Sequence, residues 1–189
     1  MKRSKNYLKP ILALEGAWTA DLVNRLSVSP ILEMLGKFDG TACVHLPSNT
    51  LEEFSFNLDI YKGVKEKGIL LLSFHGRPGR LSLMSSEIEI EQIGRLMGRK
   101  FKNWILYLDS CSVLRIERDR IDTFIQDTGV SFVIGYTKDS PWIEGTAIQL
   151  IVLNQLQKYR NMGTFWRRFQ KQYSSLIKIT GLTVHSNGH

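Results

Sequence analysis

The sequence predicts an α/β fold in which a mostly parallel central sheet of about five to six strands carries helices on both faces. One observation is the run ILLLSF at residues 69–74, a continuous apolar stretch typical of a strand covered on both sides. A second apolar run, WILYL at 104–108, has the same character. Longer segments with helical periodicity separate such runs, and this alternation indicates parallel strands joined by helices.

The other elements follow from the spacing of apolar residues and from the glycines and prolines between them. Further strands are predicted at 10–14, 41–46 and 131–134, with a short hairpin arm at 81–83. Helical segments are predicted at 19–37, 51–61, 91–98, 117–127, 143–159 and 164–177. Pro30 is expected to break or restart the first helix, while Gly63 and Gly68 bracket the turn into the strand at 69–74.

Four strands end at loops that begin with polar or small residues. The first strand stops at Glu15-Gly16, and the strand at 69–74 stops at HGRPG, residues 75–79. The strand at 104–108 stops at DSCS, residues 109–112, and the fifth strand is followed by residues 135–142. In open α/β sheets the functional loops lie beyond the carboxyl ends of the strands. The sequence therefore predicts the functional site at these four loops.

Length and composition indicate one globular domain over residues 1–189. Hydrophobic residues make up 43% and charged residues 23% of the chain, which is ordinary for a globular protein. No apolar run approaches the ~20 residues that a membrane-spanning helix needs. The apolar stretch ILAL near the N-terminus is too short for a signal peptide, and two cysteines do not make a disulfide framework. We therefore expect a cytoplasmic protein with free thiols.

The formal net charge of +7 is concentrated near the C-terminal end. No acidic residue follows Glu144, whereas six basic residues do: Lys158, Arg160, Arg167, Arg168, Lys171 and Lys178. Aromatic and aliphatic residues recur among them at three- and four-residue steps, which predicts a basic amphipathic helix over 159–178. This helix either packs its aromatic side on the domain or contacts a protein partner, a membrane surface or a nucleic acid.

Two of the four loops hold the residue types that nucleophilic catalysis requires. His75 and Cys111 each follow a buried strand, so both are expected at the same edge of the sheet. A histidine can supply the general base that a cysteine thiol needs near neutral pH. The N–H groups of Gly76 and Cys111 could then form an oxyanion hole. The alternative is that His75 is a structural residue and Cys111 a small apolar filler.

These strand ends resemble those of the caspase-like cysteine peptidases of clan CD, a group that includes metacaspases and CHAT domains. The shared pattern is an apolar strand followed by His-Gly, here SFHG at 73–76, and a second apolar strand ending in a cysteine, here DSCS at 109–112. The chain also resembles a family of stand-alone bacterial caspase-like proteins through LEGAW at 14–18 and a GY–W block over 135–142. The resemblance covers roughly residues 10–157.

The resemblance implies a caspase-haemoglobinase-like three-layer sandwich and cysteine endopeptidase activity. In that activity His75 acts as general base and then general acid, and Cys111 is the nucleophile. Bacterial caspase-like peptidases often act in stress or defence responses, which by analogy extends to this chain. One difference from metacaspases is that Cys111 is followed by Ser112-Val113-Leu114 rather than by His-Ser-Gly.

The same resemblance implies a protein or peptide substrate cleaved after Arg or Lys. Enzymes of this group with that preference have acids in the specificity pocket, one of them two residues before the catalytic cysteine. Asp109 occupies that position, Glu15 ends the first strand, and Asp139 lies in the loop after the fifth strand. Trp142 is expected at the wall of the cleft or in a structural role. The alternative for the first two acids is loop capping or an ion pair with a nearby arginine, Arg77 or Arg80.

Two other function classes remain open at this point. The chain could be a catalytically inactive caspase-like module that binds a protein partner in the same cleft, or a nucleic-acid-associated protein acting through its basic C-terminal helix. His45, His75, His185 and His189 show no metal-ligand spacing with cysteine or acid, so neither a metal site nor a cofactor is expected. The oligomeric state does not follow from the sequence.

Overall fold

The computed structural model of the protein describes residues 7–19, 26–60 and 67–186, which form nine strands and seven helices. In chain order the strands are β1 (Ile11–Glu15), β2 (Cys43–Pro47), β3 (Ile69–Ser73), β4 (His75–Arg77), β5 (Arg80–Ser82), β6 (Glu87–Glu89), β7 (Ile105–Asp109), β8 (Phe132–Tyr136) and β9 (Leu182–His185). The helices are α1 (Ser29–Asp39), α2 (Leu51–Ile60), α3 (Ile90–Met97), α4 (Arg118–Thr128), α5 (Trp142–Leu156), α6 (Met162–Gln172) and α7 (Ser174–Thr180).

Six strands form the central sheet in the order β2-β1-β3-β7-β8-β9. The first five run parallel, and β9 pairs antiparallel with β8 at one edge. A second, three-stranded antiparallel sheet of β4, β5 and β6 follows β3. This topology confirms the predicted α/β class and the mostly parallel central sheet.

The central strands are apolar throughout because both of their faces are covered. In β1, Leu12 and Leu14 point to one face and pack in the cluster that includes Phe54 of α2. Ile11 and Ala13 point to the other face, in the cluster with α1, α5 and α6. The alternation follows from the two-residue period of a strand. Helices on both sides of one sheet give three layers, as predicted.

The register of the parallel strands brings their carboxyl ends into one row. Glu15 at the end of β1 lies opposite Ser73 at the end of β3, and Ser73 lies opposite Asp109 at the end of β7. The loops that carry His75 and Cys111 therefore leave the sheet side by side. This register is what positions the candidate site.

The first predicted helix differs from the one observed. Residues 20–25 of the predicted 19–37 helix, and Gly63 of the predicted turn, lie outside the described residues. Within the described part, α1 begins at Ser29, with Pro30 in its first turn, where its missing N–H has no helical partner to lose. The proline therefore starts the helix rather than interrupting it.

The single C-terminal helix predicted over 159–178 is wrong, because the segment contains two helices. Tyr173 separates α6 from α7 with φ −122° and ψ 29°, which is not a helical conformation. Phe165 and Phe169 of α6 are 1% and 3% exposed and belong to the core on the face of the sheet that α1 and α5 also cover. The structure thus supports the packing interpretation of this segment.

Strand β9 was not predicted. Its four residues follow the left-handed Gly181 and add an antiparallel edge to the sheet. No helix within the described residues is both long and apolar enough to cross a bilayer.

Candidate active site

A cavity of about 370 Å³ opens at the carboxyl edge of the central sheet. Its lining among the described residues is mostly apolar, with a few polar groups: Trp18, Leu26, Ser27, Val28, Pro30, Ile31, His75, Asp109, Ser110, Cys111, Tyr136, Ser140, Pro141, Trp142, Gly145, Thr146 and Gln149. Mostly apolar cavities with a few convergent polar groups are the usual form of ligand sites. Four of the predicted site residues line this cavity: His75, Cys111, Asp109 and Trp142.

The His-Gly and Cys loops are in direct contact. A β-carbon added to Gly76 would lie 2.6 Å from the carbonyl oxygen of Cys111 and 3.0 Å from its amide nitrogen. Such distances are closer than real Cβ atoms approach a backbone, so only glycine fits at this position. The requirement for glycine after His75 is therefore a packing requirement set by the Cys111 backbone.

The Cys111 loop is fixed to the loop that follows β8. Ser112 has the left-handed φ of 55°, its N–H donates to the carbonyl of Lys138 at 3.2 Å, and its hydroxyl donates to Asp139. The N–H of Leu114 donates to the carbonyl of Tyr136 at 2.9 Å. These bonds orient the turn in which Cys111 is half-buried.

His75 is held by the segment that follows β1. Its Nε2 atom lies 2.8 Å from the carbonyl oxygen of Trp18. A carbonyl can only accept, so Nε2 carries the hydrogen, and in the neutral ring Nδ1 keeps the lone pair. The Trp18 ring also packs edge-on against the imidazole, with ring centroids 5.1 Å apart. One tautomer and one ring orientation are thereby favoured.

Two tryptophans form a continuous aromatic wall beside His75. The ring centroids of Trp18 and Trp142 lie 5.3 Å apart, and the rings pack edge to face, which is a favourable geometry for aromatic pairs. Trp142 begins α5 and is 53% exposed. It therefore lines the cavity and is not part of the core.

Asp109 is the one carboxylate among the described residues that line the cavity. Its Oδ2 atom accepts hydrogen bonds from Ser73 at 2.6 Å and from Gln149 at 2.7 Å. Burial raises the pKa of Asp109 to about 6, although hydrogen bonds from Ser73 and Tyr136 act in the opposite direction. The Tyr136 hydroxyl is itself 2.6 Å from that of Tyr107, so a buried chain of hydroxyls ends on this carboxylate.

Glu15 and Asp139, the other two predicted substrate-binding acids, are not among the described residues that line the cavity. Glu15 is buried behind it and its carboxylate is taken up by internal partners, including His45 at 2.7 Å. Asp139 instead accepts the hydroxyl of Ser112. The alternative of an ion pair between Glu15 and Arg77 or Arg80 is not observed, and Oε2 of Glu15 lies instead 2.7 Å from Nε2 of His45. The arginines in question pair elsewhere: Arg77 with Glu87, and Arg80 with Glu87 and Glu89.

A family model matches residues 9–185, and its description is a family of unknown function, DUF6642. The chain belongs to this family. A search of curated proteins found no match. Among solved structures, the fold is similar to that of caspase-1 from Spodoptera frugiperda, with a TM-score of 0.54 and 12% sequence identity over 97% of this chain and 90% of that one. At this identity the similarity shows a caspase-like fold.

In this DUF6642 protein, three contacts at the candidate site were not predicted from the sequence. Trp18 was noted only as part of LEGAW, yet its carbonyl holds His75. Tyr136 was noted only as part of the GY block, yet it reaches Asp109. Gln149 had no distinguishing signal, because a polar residue within a mostly apolar helix does not reveal which loop it faces. It is 3% exposed and bonds a carboxylate 40 positions away.

Among the residues that the structure describes, no group of three histidine, cysteine, aspartate or glutamate side chains is placed to hold a metal ion.

Proposed function

We propose that the protein is a cysteine endopeptidase in which His75 and Cys111 form the catalytic dyad. The observation that carries this proposal is the pairing of an oriented imidazole with the Cys111 backbone at one cavity. The Trp18 carbonyl holds Nε2 of His75, and Gly76 packs on Cys111. The caspase-like fold is consistent with a protein substrate.

The chemistry follows from the favoured histidine tautomer. The lone pair on Nδ1 of His75 takes the proton of the Cys111 thiol, and the sulfur attacks the carbonyl carbon of the scissile peptide bond. The resulting imidazolium gives its proton to the leaving amine as the C–N bond breaks, which leaves a thioester on Cys111. Water, deprotonated by His75, then hydrolyses the thioester and restores the thiol.

Two backbone amides are suited to stabilise the negative oxygen that forms during attack. In the β4–β5 hairpin, Arg77 and Arg80 flank a two-residue turn, and residues in this position hydrogen-bond to each other through their backbones. Bonded and non-bonded pairs alternate along an antiparallel pair of strands, so the next pair, Gly76 and Leu81, is not hydrogen-bonded. The N–H of Gly76 therefore points away from β5. Its partner in the oxyanion hole is the N–H of Cys111, and each such donor contributes roughly 3–4 kcal/mol.

The carboxylate in the cavity favours a basic residue on the amino side of the cut. Asp109 precedes Cys111 by two residues and is the one acid among the described lining residues. A guanidinium or ammonium group would offset the cost of its burial. The tryptophan wall of Trp18 and Trp142 can cover the aliphatic part of an Arg or Lys side chain.

Peptide cleavage tests the activity and its specificity together. Purified protein is incubated with fluorogenic peptides that end in Arg, Lys, Asp or Leu. We expect cleavage after Arg and Lys, and loss of it in the His75→Ala and Cys111→Ala variants. Cleavage after Asp alone would contradict the role of Asp109, whereas cleavage that persists without Cys111 would contradict the dyad.

A cysteine-directed covalent probe tests the dyad without knowledge of the substrate. Burial raises the pKa of the Cys43 thiol, so Cys43 should react slowly and serves as an internal reference. Rapid labelling of Cys111 that His75→Ala abolishes supports the peptidase. If Cys111 is labelled as slowly as Cys43, and His75→Ala does not change that rate, the result instead indicates an inactive module that binds peptides in the same cleft.

A further inference from the structure

Glu15 is a buried carboxylate for which the proposed chemistry has no use. It ends β1 and is 7% exposed. Four groups surround it within hydrogen-bond distance: the Trp18 indole N–H at 2.7 Å, the Val28 amide at 2.8 Å, the Ser27 hydroxyl at 2.6 Å and Nε2 of His45 at 2.7 Å. These bonds hold the pKa of Glu15 below its ordinary value even though burial acts to raise it. The carboxylate is therefore ionised and fully engaged.

The partners of Glu15 come from two segments that line the candidate cleft. Glu15 accepts from the indole N–H of Trp18, the residue whose carbonyl holds His75. It also accepts from Ser27 and Val28, which line the same cavity. One buried anion at the end of a central strand thus joins the segment that supports His75 to a second lining segment.

We infer that Glu15 is a positioning residue: it fixes the Trp18 segment so that the Trp18 carbonyl orients His75, and it fixes the Ser27–Val28 wall of the same cleft. The inference rests on the proposed function for its effect on catalysis. Its structural part stands on the four contacts alone. This role replaces the predicted one in substrate binding.

The two carboxylate oxygens of Glu15 have hydrogen-bond partners of different kinds. Oε1 faces the Trp18 indole N–H and the Val28 amide, which can only donate. Oε2 faces the Ser27 hydroxyl and a histidine nitrogen of His45, and both of these can accept when protonated suitably. A glutamine amide can therefore keep its oxygen toward Trp18 and Val28 and donate to the other two groups. A leucine satisfies none of the four.

This difference makes Glu15→Gln a rescue variant for Glu15→Leu. In Glu15→Gln the Trp18 contact is retained, so the pH profile of Cys111 alkylation should match that of the unmodified protein. In Glu15→Leu the profile should become that of His75→Ala, and kcat/KM should fall on the order of 100-fold with little change in KM, as expected when a catalytic group is misplaced. Trp18→Phe removes the indole N–H that Glu15 accepts, together with part of the ring that packs on His75, and should shift the profile in the same direction.

The control variant is Glu91→Gln, which removes a carboxylate paired with Arg120 on the α3–α4 side of the sheet. It should leave the alkylation profile unchanged. Thermal unfolding identifies any variant that does not fold, and Trp18→Phe keeps the test open if Glu15→Leu fails. A folded Glu15→Leu or Trp18→Phe protein with an unchanged alkylation profile would overturn the inference.

Hydrogen exchange separates this inference from the peptidase proposal. The Val28 amide and the Trp18 indole N–H should be protected in the unmodified protein and in Glu15→Gln, and should exchange at least about tenfold faster in Glu15→Leu. If the unmodified protein shows neither turnover nor His75-dependent labelling, loss of protection still supports the positioning role while the peptidase proposal fails. Unchanged protection refutes the positioning role whatever the activity.

Discussion

Gly76 lies against the backbone of Cys111, with room for a hydrogen but not for a methyl group on its Cα. Cys111 follows β7, and Gly76 is the second residue of β4, which follows β3 almost at once. Because β3 and β7 are paired in register, the two loops emerge side by side. They can touch only because Gly76 has no side chain at the point of contact. This contact joins the two halves of the candidate dyad.

Gly76→Ala should therefore impair the site more than a glycine-to-alanine change usually does. The added methyl group must displace the Cys111 backbone, and overpacking of this kind typically costs about 1–3 kcal/mol of stability. We expect a loss of His75-dependent labelling of Cys111 and of any peptidase activity. Labelling kinetics and denaturant unfolding measure the two effects.

Gly36→Ala is the matched control for that substitution. Gly36 lies within α1, where an added β-carbon meets only one carbonyl oxygen at 3.6 Å, an ordinary contact. Alanine in a helix interior is favoured over glycine by roughly 0.5–1 kcal/mol, so this variant should be slightly more stable and equally reactive. A Gly76→Ala protein that labels as fast as Gly36→Ala would refute the steric argument.

The central strands, and the strand ends that carry His75 and Cys111, were predictable because their signals are local. Runs such as residues 69–74 are apolar throughout since both faces are buried, and His75 and Cys111 mark the points where two such runs stop. The edge strand β9 was missed because its residues are mostly half-buried and carry no comparable run. The break at Tyr173 was missed because the apolar spacing continues across it.

The role of Glu15 could not be predicted for a different reason. An acid at the end of a strand can face a substrate or the interior of the protein, and the sequence does not distinguish the two. Its partners Ser27 and His45 lie 12 and 30 positions away, and tertiary folding alone brings them to the carboxylate. The same holds for Gln149 and Asp109, which are 40 positions apart.

The packing of α6 predicts a strong dependence of stability on its aromatic side. Phe169 is 3% exposed and contacts the rings of Phe165, Trp166 and Tyr173. Phe169→Ala should lower the free energy of unfolding by about 3–5 kcal/mol, as for other buried phenylalanines. Lys171→Gln, on the exposed side of the same helix, should change it by less than about 0.5 kcal/mol. Similar effects of the two substitutions in denaturant titrations would contradict the packing role.

Truncation after Gln157 tests the same packing on a larger scale. It removes α6, α7 and β9, so it exposes the core beneath Phe165 and leaves β8 as an open sheet edge. We expect a protein that aggregates or is poorly folded by circular dichroism and size-exclusion chromatography. A monodisperse, folded truncation would show that the basic segment is an appendage and would favour a binding role for it.

The pKa of Asp109, about 6, predicts a pH-dependent substrate preference. Below this value the carboxyl group is protonated and attracts a cation weakly, and above it the carboxylate is charged. The ratio of kcat/KM for an Arg-ended peptide to that for a Leu-ended peptide should therefore rise as the pH increases through about 6. Asp109→Asn should remove this rise, and a ratio that stays constant between pH 5 and 8 would contradict the assignment.

The same pKa sets the direction of a stability change. Because the folded-state pKa is raised above the ordinary value of 3.8, the stability that Asp109 contributes is present below about pH 4 and is lost as the pH rises through about 6. Asp109→Asn mimics the protonated form and keeps an acceptor for Ser73 and Gln149. It should be more stable than the unmodified protein at pH 7 by about 1–3 kcal/mol, and equally stable near pH 4. Thermal unfolding at both pH values measures the difference.

Tyr136→Phe should move the midpoint of the substrate-preference profile to higher pH. The Tyr136 hydroxyl donates to Asp109 and thereby lowers its pKa, so removing that donor favours the protonated carboxyl group further. The substitution also leaves the buried hydroxyl of Tyr107 without its partner, which should cost about 1–3 kcal/mol of stability. Tyr107→Phe is the control, because it breaks the hydroxyl pair but leaves the Tyr136 donor in place. A midpoint that shifts equally in both variants would show that the hydroxyl pair, rather than the bond to Asp109, controls the carboxyl group.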